Sequence, residues 1–349
     1  MPPTSLRGGI ADRVAELAEL LDAAEALAAR GRPMALATVV ATRGSTYRRA
    51  GARLLIPAEG EPIGNISGGC LEGDVARIGR EVIAAGEPRL VEFDMTADDD
   101  AVWGYGLGCN GAIELFVEPT AGALESVGAL RSGHGACLVI PLSGPDLGVH
   151  RLETDGAAAA ALRHGQPRVQ ETDGERTFFE PLLPPFRLLV CGAGHDAIPL
   201  VRQAAELGWR VVVIDVRRGL LTAELFPAAE FASPDPASAA AELSPDERTA
   251  AILMSHNYLR DIAYLRSFLD TPLTYLGVLG PRGRTEQMLG EIGAPEAIAR
   301  IHAPAGLDIG ADGPEEVAHA IISEILAVIH GRRGEPLRDR RGPIHANDA

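Results

Sequence analysis

Residues 188–217 read LLVCGAGHDAIPLVRQAAELGWRVVVIDVR, and this stretch decides the fold of the second half of the chain. Arg187–Cys191 is an apolar run of strand length that enters Gly192-x-Gly194-x-x-Ala197. Ile198–Leu207 carries apolar residues at helical spacing, and Arg210–Asp215 is a second apolar run that ends in an acid. Strand, glycine turn, helix and strand, with the acid about 20 residues after the first glycine, form the Rossmann fingerprint in its full context. Gly192 allows the tight turn, Gly194 lets a phosphate approach the backbone, and Ala197 lets the helix pack on the sheet. The helix N-terminus offers free N–H groups and a positive dipole end to an anion. Gly192, Gly194 and Asp215 are therefore candidate cofactor contacts, with NAD(P) the ligand such a turn takes.

Outward from this stretch the alternation continues through Thr249–Ser255, a helix at Ile262–Phe268, Thr274–Leu279 and a last helix at Pro314–His330. Strand–helix alternation of this kind predicts a doubly wound parallel sheet. In the usual strand order the first and fourth strands are neighbours, which brings His195, in the glycine turn, to the same crevice as His256, just after a strand. Asp196 and Asp261 are placed to orient them. Each histidine equally suits a turn cap. The loop Gly280-Pro281-Arg282-Gly283-Arg284 opens at the same sheet edge, and Arg282 is a candidate for a second phosphate. Pro181, Pro184 and Pro185 mark a linker over 181–186, where helix and sheet pairing should both fail. The expected domains are residues 1–180, residues 187–330, and a polar tail at 331–349.

The first half reads as an α/β domain with Gly- and Arg-rich loops. An amphipathic helix covers 10–30, strands are expected at Met34–Ala41, Ala52–Ile56, Arg89–Asp94, Ala112–Glu118 and Ala136–Pro141, and Ile63–Gly69 reads as a strand and turn. A helix falls at Leu71–Ala85. From 141 to 176 the pattern is weak. Three loops are glycine-dense. In the first, Arg43, Arg48, Arg49 and Arg53 surround Gly44 and Gly51, an arrangement suited to bidentate phosphate binding. The second, Gly64-Asn65-Ile66-Ser67-Gly68-Gly69-Cys70-Leu71-Glu72-Gly73-Asp74, sets Cys70 at a helix start, where the dipole favours thiolate chemistry. The third, Trp103–Gly111, presents Cys109. Glycines let backbone N–H groups approach a ligand closely, so Ser67, Gly68 and Gly69 join the candidate contacts. The alternatives are that Cys70 packs as a small residue under the helix start and that Cys109 is a loop thiol without a role. Cys137 and Cys191 lie in strands and read as core. His134 is too isolated to complete a zinc site, and Asp98-Asp99-Asp100 reads as a solvated loop.

Composition narrows the chemistry. All 32 basic residues among the 349 are arginine. The absence of lysine removes P-loop phosphate binding and Schiff-base or pyridoxal-phosphate catalysis. A codon usage rich in G and C accounts for it. A net charge of −16 and a pI near 5.0 argue against nucleic acid or an anionic membrane as partner. No apolar run reaches the ~18 residues of a membrane span, and no signal pattern opens the chain. Four scattered cysteines without a C-x-x-C pair argue for a reducing compartment, the cytoplasm.

The chain resembles the xanthine dehydrogenase accessory factor family (XdhC/CoxI) over most of its length. The resemblance rests on Gly44-Ser45 with Arg48 and Gly51-Ala52-Arg53, on Ser67–Gly73, and on Gly106–Gly111. It continues through Gly192–His195, Ser255-His256, Tyr275–Gly280 and Pro304–Gly310. Tyr47 and Ala50 replace prolines common in the family, and Ala305 stands where Ile is frequent. The resemblance implies a chaperone that binds the molybdenum cofactor, as molybdopterin or its dinucleotide form, supports its sulfuration and delivers it to a molybdenum hydroxylase. That client, of xanthine or carbon monoxide dehydrogenase type, and a cysteine desulfurase are the implied partners. Because a family cysteine is implicated in cofactor binding, Cys70 is the first candidate for molybdenum contact and Cys109 the second. A homodimer is the default assembly. The competing readings are an NAD(P)-dependent oxidoreductase with the first half as substrate domain, and a thiol-based sulfur-transfer enzyme. Against the former, no Lys–Tyr or Arg–His hydride-transfer dyad is evident.

Overall fold

The structure, a computed structural model, describes residues 11–44, 46–95, 111–120 and 135–339. Apart from short terminal stretches, the chain divides between Pro184 and Pro185 into two compact units.

The first unit opens with helix α1 (Ala11–Ala28). Its Leu17, Leu20, Leu21 and Ala24 recur at helical spacing and are all buried, forming one apolar stripe. Strands β1 (Met34–Gly44), β2 (Arg53–Pro57), β3 (Ile63–Gly64), β4 (Arg89–Asp94) and β5 (Gly111–Pro119) form an antiparallel sheet in the order β3-β2-β1-β5-β4. Alternate residues of a strand point to opposite faces. Ala35, Ala37 and Val39 accordingly pack with Val75, Ala76 and Val82 of helix α2 (Glu72–Ala85), whereas Leu36 meets Leu20 and Ala24 of α1.

A second antiparallel sheet, in the order β7-β6-β9-β8, comprises β6 (Ala136–Pro141), β7 (Arg151–Glu153), β8 (Arg168–Thr172) and β9 (Glu175–Leu182). Helix α3 (Gly156–His164) covers one face, with Ala158 and Ala161 on Cys137, Val139 and Phe179. The other face joins the first sheet through Leu138, Ile140 and Phe178 against Val40 and Phe116. The weak pattern over 141–176 thus conceals two strands and a helix. Its strands are short and its helix is a run of alanines with little polar contrast. The expected linker at 181–186 is corrected at its start, because β9 runs to Leu182 and Pro181 pairs with Cys137. On its other side β8 reaches only as far as Phe179, so Pro181 has no second neighbour there to need its missing N–H.

The second unit is the expected parallel sheet. Strands β10 (Arg187–Cys191), β11 (Arg210–Ile214), β12 (Ala229–Ala232), β13 (Thr249–Leu253) and β14 (Tyr275–Val278) lie in the order β12-β11-β10-β13-β14, all parallel. Strand β12, a four-residue edge strand, was not anticipated. Helices α4 (Ala197–Glu206) and α8 (Pro314–Ile329) supply Leu200, Ala204, Ile321 and Ile325 to the face bearing Leu188 and Val190. Helices α5 (Ala239–Leu243), α6 (Tyr258–Phe268) and α7 (Arg282–Ile292) cover the face bearing Leu189 and Cys191 with Ala239, Leu265, Phe268 and Leu289. Cover on both faces is what makes these strands continuous apolar runs. Burial pushes the Cys137 thiol up to about 12 and raises Cys191 well above the usual thiol range, which leaves both as core.

Candidate functional site

Two of the three glycine loops meet at one end of the five-stranded sheet. Strand β1 ends at Gly44, which pairs with Gly111 at the start of β5. Gly111 closes the third loop, whose Cys109 lies outside the described residues, as do Asp98–Asp100 and His134. On the other side of β1, Gly64 of β3 pairs with Leu54. Gly64 has φ +105°, and a Cβ there would stand 2.5 Å from the Arg53 carbonyl oxygen, so this crossing requires glycine. The chain then turns through Asn65, whose Oδ1 accepts the Gly68 N–H at 2.9 Å. Gly68 and Gly69 both have positive φ, and the Tyr47 ring of the first loop stands over Gly68.

Cys70 follows, half-buried, and packs in part against the cluster that contains Ile66, Leu71 and Val75. Its loop is held by Glu72, a residue that the sequence reading did not single out. The Glu72 carboxylate accepts the N–H groups of Ile66 at 3.1 Å, Ser67 at 3.0 Å and Leu71 at 3.2 Å, and the Ser67 hydroxyl. Burial would raise this carboxyl, but the hydrogen bonds from Ser67 and Ile66 together hold it below the usual range. Ser67 Oγ also accepts the Leu71 N–H at 2.9 Å, so Ser67 belongs to the frame of the loop. An acid in the first turn of a helix, shortly after a serine, was the available signal.

The arginines of the first loop are not equivalent. Arg43 pairs with Glu92 and, at 3.8 Å, with Asp94, and its side chain is 69% exposed. Arg48 makes two bonds to Glu16. Arg53 is buried, paired through two bonds with Glu180 of β9, and donates to the Gly51 carbonyl at 3.1 Å. Arg43 is exposed and Arg48 is half-buried, whereas Arg53 lies between the two sheets.

In the second unit the glycine turn is tight. Gly192 has φ +133°, and a Cβ there would stand 2.4 Å from the Met254 carbonyl oxygen. A Cβ at Gly194 would be 3.7 Å from His256 Cδ2, so the turn and His256 share one crevice. His256 Nε2 lies 2.7 Å from Asp196 Oδ2, and His195 is exposed. Asp215 ends its strand as expected, but its buried carboxylate accepts the Ala193 N–H at 3.0 Å, the Arg217 N–H at 2.8 Å and the Arg217 guanidinium. Burial acts to raise Asp215, yet the bonds from Arg217 and Ala193 prevail and bring it to about 2. Asp261 orients Ser255 and Arg284 rather than a histidine, at 2.6 and 2.7 Å. The expected loop at 280–284 is corrected, because Arg282–Arg284 form the first turn of α7. Pro281 at the N-cap presets the helix entry, and Arg282 bonds Glu286 at 2.8 Å.

A further cluster was not foreseen. Glu324 of α8 accepts Tyr275 Oη at 2.6 Å and the Gly306 N–H at 2.7 Å, and lies 2.9 Å from His302 Nδ1. Burial opposes its ionisation, but the bonds from His302, Tyr275 and Gly306 hold it below the usual carboxylate range. It ties Tyr275–Gly280 to Pro304–Gly310, two of the segments that carry the family resemblance.

Comparisons with known proteins agree with this layout. Residues 27–94 match the XdhC and CoxI family model, and residues 188–325 match the XdhC Rossmann domain. A Bacillus subtilis protein, described as a probable component of xanthine dehydrogenase, is 32% identical over 317 residues, 83% of this chain and 92% of that protein. The Escherichia coli molybdenum cofactor insertion chaperone PaoD is 26% identical over 303 residues, 85% of this chain and 84% of its own. A crystal structure described as a xanthine dehydrogenase from Bacillus halodurans superposes with a TM-score of 0.75 at 30% identity, covering 91% of this chain and 96% of that one. With a glycine-held cysteine in one unit, a Rossmann sheet in the other and relatives matched across both, the chain belongs to the XdhC and CoxI family.

Proposed function

We propose that this protein is a maturation factor that binds the molybdenum cofactor as cargo and hands it to a molybdenum hydroxylase of xanthine or carbon monoxide dehydrogenase type. The observation that carries the reading is the meeting of two loops. Tyr47 of the arginine loop lies on Gly68, two residues from the half-buried Cys70. A molybdopterin carries dithiolene sulfurs that hold molybdenum, and a phosphate on the same side chain. In this proposal Cys70 meets the sulfurs and metal, while Arg43 and Arg48 take the phosphate. The Arg43 pair is exposed and contributes only about 0–1 kcal/mol, and either arginine can exchange its carboxylate for a bidentate phosphate. Gly69 leaves open space where a side chain would project, which suits a ligand approaching the backbone.

The same site suits receipt of sulfur by Cys70 from a cysteine desulfurase. We place the protein in the cytoplasm, as a homodimer. Among the described residues no helix is long and apolar enough to cross a membrane. An NAD(P)-dependent oxidoreductase is less well supported. It would need Asp215 for a ribose, and that carboxylate already holds Ala193 and Arg217.

Co-expression with an active molybdenum-cofactor pathway, anaerobic purification, and analysis of metal, pterin and nucleotide test the reading. Molybdenum and pterin should co-purify with the protein. Retained NAD without pterin, under ample cofactor supply, would refute it.

A further inference from the structure

Tyr47 presents one covered ring face and one open one. A Cβ built at Gly68 would lie 3.2, 3.3 and 3.3 Å from Tyr47 Cδ1, Cε1 and Cγ. A point nearly equidistant from three successive ring carbons lies over the ring face, because an edge-on approach would leave the outer two more distant. Gly68 also sits at φ +81°, where a side chain would be strained. The positive φ favours glycine, and a side chain there would press on the Tyr47 ring. Tyr47 nevertheless remains 63% exposed, so its opposite face meets solvent. The covered face borders the loop of Cys70, and Arg48 follows Tyr47 in the chain.

The geometry points to Tyr47 as the stacking platform for the planar heteroaromatic part of the cargo. This rests on the reading that these loops hold a molybdopterin-type cofactor. A ring already fixed on one side loses little freedom when a flat heterocycle covers the other, and aromatic faces pair well in offset stacks. The pterin and the nucleobase of a dinucleotide form share this chemistry.

Tyr47→Ala, Tyr47→Leu, Tyr47→Phe and Tyr47→Trp, loaded by co-expression and purified anaerobically, test it. Stacking of a base on an aromatic side chain is strong enough that its loss weakens binding about tenfold or more. Retained pterin should therefore fall by about that factor in Tyr47→Ala and Tyr47→Leu, and stay near wild type in Tyr47→Phe and Tyr47→Trp. The position is exposed, so thermal midpoints should be unchanged. The introduced indole supplies a second readout. Its emission in cargo-free Tyr47→Trp should be quenched by 6-hydroxymethylpterin if the pterin stacks, or by CMP or GMP if the nucleobase does. Unchanged retention in Tyr47→Ala, full retention in Tyr47→Leu, or quenching by neither probe would overturn the stacking role while leaving the cargo reading intact. Absence of pterin from the wild-type protein would overturn both.

Discussion

Arg53 and Glu180 join the two sheets of the first unit through a buried ion pair, their side chains only 6% and 4% exposed. Arg53 opens β2 immediately after the arginine loop, and its carbonyl lies against Gly64 at the start of the cysteine loop. One buried residue therefore holds the ends of both loops. Buried pairs gain little over apolar packing, but removing one partner leaves a charge stranded.

Glu180→Gln should accordingly destabilise the protein by about 3–5 kcal/mol, whereas the joint change Arg53→Met with Glu180→Leu should recover most of that loss. Urea unfolding measures both. The cargo adds a test of opposite sign. Were Arg53 a phosphate ligand, Glu180→Gln would free its charge and raise cargo retention. A buried positioning role predicts no rise.

Asp215 gives a pH signature. Its folded value of about 2 lies below the ordinary 3.8 of an aspartate, so the carboxylate stabilises the fold at pH above about 4. That contribution declines as pH falls and is gone once pH passes below the folded value. Asp215→Asn should cost about 2 kcal/mol at pH 7, with the gap from wild type narrowing steadily between pH 4 and pH 2. Denaturant unfolding at several pH values checks this. A gap that is constant with pH would contradict the assignment.

Glu72 clamps the loop of Cys70 through four hydrogen-bond donors. Glu72→Ala removes this shared acceptor, with only the Leu71 N–H keeping a second one in Ser67 Oγ, and should cost about 1–3 kcal/mol. The freed loop should expose the half-buried thiol and speed iodoacetamide alkylation of Cys70 severalfold. Peptide mass mapping of the modified cysteine gives the rate at that position, and an unchanged rate would contradict the clamp.

How far the sequence could be read depended on the range of the interactions. Gly192, Gly194 and the strands around them were legible because turn chemistry and apolar periodicity are local, and Asp215 fell where the motif sets it. The pairing of that carboxylate with Arg217 was not legible, since an acid at a strand end looks the same whether open or occupied. Arg53 looked equivalent to Arg43 and Arg48 in the loop. Its partner lies 127 residues away, across a contact between sheets that no local pattern records. The meeting of Tyr47 with Gly68 follows from the pairing of β1, β2 and β3, so the individual loops were recognisable before their adjacency was. Arg282 was misplaced in a loop although Pro281 before it was a helix-start signal.

The most direct test of the central claim is the molar ratio of pterin to protein in wild type and Cys70→Ala, co-expressed with the cofactor pathway and purified side by side under anaerobic conditions. Binding at Cys70 predicts pterin with the wild-type protein and its loss from the variant, with the same thermal midpoint for both. Equal pterin in the two proteins would contradict the assignment of the cargo site to Cys70.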